Sequence, residues 1–181
     1  SAITLQANLT ALAARRCVTP THKLKLILSE QIASFLLGYF DVIVLLIYLR
    51  YILKLDFQGK IGPMLLISFF GSLIGVSIGI FVGSLGQMKE GGKIGLILGF
   101  SMGCSFLSGL INNTMKDLVE KNMPFINRIN PAALISDAFY CINVYDDMSR
   151  YYRNLFTLAV MSVILMTASF LLIRRESYDS I

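Results

Sequence analysis

The stretch IGPMLLISFFGSLIGVSIGIFVGSL, which runs from Ile61 to Leu85, contains no charged residue. The hydrocarbon core of a bilayer is about 30 Å thick and an α-helix rises about 1.5 Å per residue, so about 20 apolar residues cross it. The stretch is long enough to do so. It therefore predicts a transmembrane helix and places the chain among membrane proteins.

Three further apolar stretches flank this one. They run from Leu26 to Leu49, from Ile94 to Ile111 and from Leu155 to Ile173. The polar break from Gln87 to Lys93 is short, so the helices that it joins are expected to run antiparallel. The sequence thus predicts an all-α fold, a polytopic transmembrane helix bundle with about four spans.

Composition supports a membrane protein and gives no sign of an enzyme. Of the 181 residues, 55% are hydrophobic and 15% are charged, whereas soluble domains contain about 25% charged residues. Basic residues at the ends of the spans explain the net charge of +5, so nucleic acid is not needed as a partner. His22 is the only histidine, and Cys17, Cys104 and Cys141 are far apart. No metal site, catalytic site or cofactor is predicted on this chain.

The segment from residue 112 to residue 154 separates the third span from the fourth. Asn130 and Pro131 are residue types that favour the N-cap and the first position of a helix. Apolar residues then recur at three- and four-residue intervals, at Leu134, Ile135, Ala138, Phe139 and Ile142,. Asp137 lies on the polar side. We expect a short re-entrant or interfacial helix over residues 131–145, packed against protein.

Glycine recurs at every fourth position in the second and third spans. The two ladders are Gly71, Gly75, Gly79, Gly83 and Gly95, Gly99, Gly103. Residues four apart share a helix face, so each ladder predicts a groove in which another backbone can approach closely. The neighbour is another span of this chain, a second subunit or a moving surface. Packing within the chain is the preferred interpretation.

Two acidic residues, Glu30 and Asp41, fall inside the first span. A charge near the bilayer centre is costly, so Asp41 should face a partner or a water-filled path. Glu30 is close enough in sequence to Lys23 and Lys25 for an ordinary ion pair. An ion channel or a proton-coupled carrier that uses Asp41 is the alternative to the function described next.

Several of these features together resemble the permease domain of type-2 ABC exporters. They are the basic segment with Thr19-Pro20 before a span, the two glycine-rich spans joined by a short polar turn, and Ile129-Asn130-Pro131 before a short helix and the last span. The resemblance implies that residues 1–181 form one permease domain, with N-terminal span(s) missing. Its parts would be a cytoplasmic elbow (1–25), three spans (26–111), an external segment (112–154), the last span (155–173) and a cytoplasmic tail (174–181).

The resemblance also implies partners and roles. An ATP-binding ABC subunit, which carries ATP and Mg, would dock on Arg15, Arg16, Thr19, Pro20, Lys23, Lys25, Lys89 and Glu90. A second permease domain would complete a homodimer or heterodimer, with Glu30 and Asp41 along the translocation path. The helix opened by Asn130 and Pro131, with Asp137, would be the external re-entrant element. The protein would be a multi-pass exporter subunit in the bacterial plasma (inner) membrane, within the lipid bilayer.

Overall fold

A computed structural model describes residues 23–54, 61–85, 88–111 and 113–175 of the chain. The elements are α1 (Lys23–Tyr51), α2 (Ile61–Gly83), α3 (Glu90–Leu107), α4 (Asn113–Asn122), α5 (Pro124–Ile129), α6 (Pro131–Tyr140), a π-helix (Cys141–Tyr145) and α7 (Met148–Arg175). The described residues contain helices and no strand. The predicted all-α, polytopic fold is confirmed.

Three of these helices are long and apolar enough to cross a membrane, over Gln31–Tyr51, Ile61–Gly83 and Met148–Leu172. The apolar part of α3, Gly91–Leu107, is shorter. We expected a third span as far as Ile111, but the chain leaves the helix after Leu107. The reason is local: Ser108 Oγ donates to the carbonyl of Ser105 at 2.9 Å, and Gly109 adopts a φ of 81°, a conformation that glycine adopts readily and that does not continue a helix.

The last span also begins earlier than predicted. Helix α7 starts at Met148 rather than at Leu155. Asp147 begins it, because its Oδ1 accepts a hydrogen bond from the backbone N–H of Arg150 at 3.0 Å, as an N-cap residue does. The polar residues between Met148 and Asn154 therefore belong to the span helix and not to the external segment.

Helix α2 lies at the centre of the bundle and contacts α1, α3, α6 and α7. The core joins residues of α2, α6, the π-helix and α7: Met64, Ile67, Ile74, Leu134, Ala138, Cys141, Ile142, Tyr151, Leu155 and Leu158. Two buried serines in this apolar region donate hydrogen bonds to carbonyls of their own helix. Ser77 Oγ donates to the carbonyl of Leu73 and Ser162 Oγ to that of Leu158, both at 2.8 Å.

Helix α1 packs against α2 mainly through aromatic side chains. Phe69 of α2 meets the rings of Phe35 and Tyr39 edge-on, at centroid distances of 4.9 and 5.7 Å. Edge-to-face pairs of this kind stabilise a contact beyond the area that they bury. Most of the other side chains of α1 are exposed. They leave a long apolar surface available to lipid or to another chain.

Candidate functional site

We call α6 together with the π-helix, residues 131–145, the re-entrant element, after the topology that the sequence predicts for it. Its start agrees with the prediction from sequence, since Asn130 Oδ1 accepts a hydrogen bond from the backbone N–H of Ala132 at 3.0 Å and Pro131 occupies the first turn. It ends at Asp146, which has a left-handed backbone with φ 54°. The structure thus has an N-cap at Asn130 and helical backbone over residues 131–145, and the re-entrant role of this segment stays a prediction.

The apolar face of the re-entrant element packs against the spans. Leu134, Ala138 and Ile142 are buried in the core with α2 and α7. Ile135 Cδ1 would lie 3.5 Å from a Cβ atom added at Gly71, so this glycine gives the element room to approach α2. The helix is therefore covered by protein on this face, which a re-entrant helix would require.

The side chain of Asn130 joins the re-entrant element to α3. Its Nδ2 donates to the backbone carbonyl of Cys104 at 2.7 Å, in the last turn of α3, and this carbonyl also accepts a hydrogen bond from the backbone N–H of Ser108 at 3.0 Å. Asn130 thus caps the start of one helix and binds the end of another. The sequence identified the first role and not the second.

Asp137 fixes the element to α7. Its carboxylate accepts two hydrogen bonds from Arg150, from Nε to Oδ2 at 2.7 Å and from Nη2 to Oδ1 at 2.6 Å. Asn154 Nδ2 also donates to Oδ2, at 2.8 Å. The Asp137 side chain is 14% exposed and that of Arg150 43%. Two-point pairing of this type is directional as well as attractive.

The sequence analysis selected Asp137 but missed Arg150 and Asn154. These two residues are four apart and so share one face of a helix. The signal was present, but with the last span placed from Leu155 onward, both appeared to lie in the external segment. A helix start at Met148 would have brought them together.

Cys141 lies beside this pair, inside the core. It is fully buried, and its Sγ is 3.9 Å from Asp137 Oδ2. Burial raises the pKa of the Cys141 thiol above its ordinary value, and the negative charge of Asp137 raises that pKa further. Both effects disfavour the thiolate, so Cys141 is a protonated, packed side chain at neutral pH rather than a nucleophile.

Tyr151 joins the start of α7 to the start of α2. It is 1% exposed, and its hydroxyl donates to the carbonyl of Pro63 at 2.7 Å. Together with Asn130, Gly71 and Asp137, this contact connects α2, α3, α7 and the re-entrant element at one end of the bundle.

The turn between α2 and α3 lies at the other end of α2. Lys93, in the first turns of α3, is 1% exposed, and its Nζ donates to the carbonyl of Gly83, the last residue of α2, at 2.8 Å. A cation is favourable at a helix C-terminus. The sequence analysis placed Lys93 at the end of the polar break and missed its role in joining the two helices.

The residues predicted to dock an ATPase lie near this turn or outside the described residues. Arg15, Arg16, Thr19 and Pro20 lie outside them. Lys23 and Lys25 fall in the first turns of α1 and Glu90 begins α3, with only their backbone described. Lys89 is described and exposed. The docking role of all eight residues stays a prediction.

Of the two acidic side chains in the first span, the structure describes Asp41 but not Glu30. Glu30 lies in α1, and its side chain is outside the described part. Asp41 is exposed and is the central residue of the span Gln31–Tyr51. A charge at this depth costs about 2.5–3.5 kcal/mol on insertion scales. The role of both acids on a translocation path stays a prediction.

The glycine ladders are largely open. Among the described residues, no atom would lie within 4 Å of a Cβ added at Gly75, Gly79, Gly95, Gly99 or Gly103. Packing within the chain, our preferred interpretation, fits Gly71, which faces Ile135. For the other five glycines it stays a prediction, because their neighbour does not lie among the described residues. A second subunit and a moving surface stay the alternatives for these glycines.

An open groove of about 490 Å³ runs along the outer side of the re-entrant element. It is lined almost wholly by apolar atoms, from Leu110, Ala132, Ile135, Ser136, Phe139, Tyr140, Asn143 and Val144. In the described part of the chain, no three His, Cys, Asp or Glu side chains lie close enough together to hold a metal ion. The chemistry of the site is therefore that of hydrogen bonds, one ion pair and apolar contact.

The profile of one protein family, described as ABC-2 family transporter protein, matches residues 1–171. The match includes the three spans, α3 and the re-entrant element. Comparison with curated proteins and with solved structures gives no match.

Proposed function

The chain belongs to the ABC-2 family of transporter proteins, and from this we propose that it is the membrane-spanning permease subunit of an ABC exporter, driven by a separate ATPase subunit. ABC-2 membrane proteins are transport components rather than catalytic ones. The direction of transport and the ATPase are the parts that we propose.

The observation that carries the proposal is the connection of the re-entrant element to three helices. It binds α3 through Asn130, contacts α2 at Gly71 and pairs with α7 through Asp137. Elements joined in this way move as one body. A displacement of the spans would therefore carry the re-entrant element with it, and would open or close the path at that end.

The ATPase subunit would drive this motion from the opposite end of the bundle. We propose that the ATPase subunit docks on Arg15, Arg16, Thr19, Pro20, Lys23 and Lys25, and on Lys89 and Glu90 of the turn before α3. The bond from Lys93 to the carbonyl of Gly83 supports this role for the turn, because it ties the ends of α2 and α3 together. ATP and Mg would be held by the ATPase subunit.

A second permease domain, identical or not, would cover the exposed sides of α1 and α3. The open glycine ladder of α3 supports this proposal, because small residues let helices approach closely in a membrane. Glu30 and Asp41 of α1 would lie along the boundary between the two domains, where the translocation path is enclosed. We propose the bacterial plasma (inner) membrane as the location.

Charge reversal in the elbow tests the proposal. Replacing Arg15, Arg16, Lys23 and Lys25 by glutamate should reduce both the ATPase recovered with the purified protein and its hydrolysis rate. Arg50→Glu is the matched control, since Arg50 is an exposed basic residue at the other end of α1. If Arg50→Glu lowers ATPase recovery as much as the elbow variant does, the elbow is not the docking surface.

The exposed position of Asp41 favours a second candidate function, an ion channel or proton-coupled carrier. In that case ion flux would need no ATPase, and Asp41→Asn would abolish it. In an exporter, Asp41→Asn would leave ATP hydrolysis in place. Flux into vesicles that contain the purified chain alone distinguishes the two.

A further inference from the structure

We propose that the hairpin of α4 and α5, residues 113–129, lies in the headgroup layer of the bilayer. Its apolar side chains contact phospholipid acyl chains there, and its cations contact phospholipid phosphates. The partner of this surface is the bilayer itself. The contact goes beyond the proposed function, because it needs neither an ATPase nor a second permease domain.

The hairpin is held at one end of α3. It follows that helix, whose apolar part is Gly91–Leu107. Directly after α5, Asn130 donates to the carbonyl of Cys104 in the last turn of α3. Helices α4 and α5 have ten and six residues, and each is too short to cross a bilayer, which takes about 20 residues. The hairpin therefore stands where the apolar helix ends, at a membrane boundary.

Large apolar side chains are exposed on and beside the hairpin. Six of them are each 45–69% exposed: Leu110, Ile111, Leu118, Met123, Phe125 and Ile129. Single apolar residues on a surface are ordinary, whereas a group of them marks an interaction site. Leu110 also lines the open apolar groove beside the re-entrant element, so the apolar surface continues there. Lipid covers such a surface more favourably than water does.

The charged side chains of the hairpin favour phospholipid over a protein partner. Lys121 and Arg128 are exposed on either side of the apolar tip at Met123 and Phe125. Charged residues are depleted at the core of interfaces between proteins, whereas a helix in the headgroup layer carries lysine and arginine beside its apolar face. Cations at that depth attract the phosphates of anionic lipids. The tip thus matches the two parts of a phospholipid, acyl chain and phosphate.

Tryptophan fluorescence tests the contact, because the chain has no tryptophan of its own. Leu118→Trp and Phe125→Trp each place a single emitter on the apolar surface. Glu120→Trp is the matched control, since Glu120 is exposed on the same helix and lies about 160° around it from Leu118. Each variant of the full chain is reconstituted in vesicles of phosphatidylcholine and phosphatidylglycerol, with or without bromine on the acyl chains.

We expect brominated acyl chains to quench the emission of Leu118→Trp and Phe125→Trp. Their emission maxima should lie at shorter wavelength than that of Glu120→Trp, because the indole leaves water. Aqueous iodide should quench Glu120→Trp more strongly than the other two. Equal helix content by circular dichroism checks that all three variants are folded.

Charge reversal tests the contact with phosphate. Lys121→Glu together with Arg128→Glu, added to Phe125→Trp, should weaken the quenching by brominated lipid in vesicles that contain phosphatidylglycerol, because the hairpin then repels anionic headgroups. Arg153→Glu is the control, since Arg153 is an exposed arginine at the start of α7, and it should leave the quenching unchanged.

The proposal is overturned if iodide and not bromine quenches Leu118→Trp and Phe125→Trp, because the hairpin then faces water. It is also overturned if neither quencher acts, because protein then covers the hairpin, or if bromine quenches Glu120→Trp as strongly. Equal effects of the double reversal and of Arg153→Glu would overturn the contact with phosphate. None of these results bears on transport, which fails separately if no ATPase purifies with the chain.

Discussion

The carboxylate of Asp137 and the guanidinium of Arg150 face each other in a two-point ion pair, with N–O distances of 2.7 and 2.6 Å. The pair joins the re-entrant element to the first turns of the last span. Around it, Asn154 completes the hydrogen bonding of the carboxylate, and the Arg150 guanidinium lies 5.9 Å from the centroid of the Tyr145 ring. The pair thus adds a directional contact to the apolar packing of the re-entrant element against α7.

Breaking this pair should loosen the re-entrant element. Asp137→Ala removes three hydrogen bonds to a charged group and leaves Arg150 without its carboxylate. Because Arg150 is partly exposed, we expect a loss of about 1–3 kcal/mol in the free energy of unfolding, measured by denaturation in detergent. Arg150→Lys keeps the charge and loses the two-point geometry, so it should fall between wild type and Asp137→Ala. Equal stability of all three proteins would contradict the role of the pair.

The reactivity of Cys141 should report on the same site. Burial and the negative charge of Asp137 both raise the pKa of its thiol, and the thiolate is the form that reacts. In a Cys17→Ser, Cys104→Ser background, alkylation by N-ethylmaleimide should keep rising at pH values where an ordinary thiol has levelled off. Val144→Cys, exposed and three residues along the element, is the fast control.

Adding Asp137→Asn to that background should lower the pKa of Cys141, because the nearest negative charge is gone. The pH profile of alkylation should then move to lower pH. If Asp137→Asn only made Cys141 more accessible to the reagent, the alkylation rate would rise by the same factor at every pH. A profile that keeps its midpoint would show that the charge of Asp137 does not act on the thiol.

Asn130 has two roles that substitutions can separate. Asn130→Ala loses the N-cap to Ala132 and the bond to the Cys104 carbonyl, and should cost about 1–2 kcal/mol in unfolding free energy for the cap alone. Asn130→Asp keeps an acceptor for the cap but has no donor for Cys104. Helix content by circular dichroism should therefore be retained in Asn130→Asp, while its melting temperature falls. A melting temperature of Asn130→Asp equal to that of wild type would show that the bond to the Cys104 carbonyl does not contribute to stability.

The bond from Tyr151 to Pro63 offers a sharper comparison, because Tyr152 is next to it and exposed. Tyr151→Phe removes one buried hydroxyl and leaves a carbonyl with one partner fewer, so we expect a loss of about 1 kcal/mol in unfolding free energy. Tyr152→Phe should leave stability unchanged. Equal effects of the two substitutions would show that the contact with α2 contributes nothing.

The glycine ladder of α3 should matter for association and not for folding. Gly99 has open space around it, whereas Gly71 faces Ile135. Gly99→Leu should leave the melting temperature of the isolated chain unchanged and reduce the recovery of a second permease domain. Gly71→Leu should displace Ile135 and cost about 1–3 kcal/mol in unfolding free energy. A melting temperature of Gly99→Leu as low as that of Gly71→Leu would contradict this division.

The fold was predictable where the signal is local. An uncharged stretch long enough to span, such as Ile61 to Leu85, and an Asn-Pro pair before an amphipathic helix each determine their own element. The last span was placed too late, because Arg150 and Asn154 are polar, and hydropathy alone does not show that they pair with Asp137. The ladder at Gly95, Gly99 and Gly103 faces open space among the described residues, and its close contact stays a prediction, since spacing within a helix does not identify the neighbour.

The most direct test of the central claim is the mass of the intact complex released from membranes, measured by native mass spectrometry. A permease subunit of an ABC exporter should appear with one ATP-binding subunit per permease domain and with two permease domains in all. Adding ATP and Mg should shift the mass by the bound nucleotide. A complex without any nucleotide-binding subunit that still carries substrate or ions across vesicles would contradict the account.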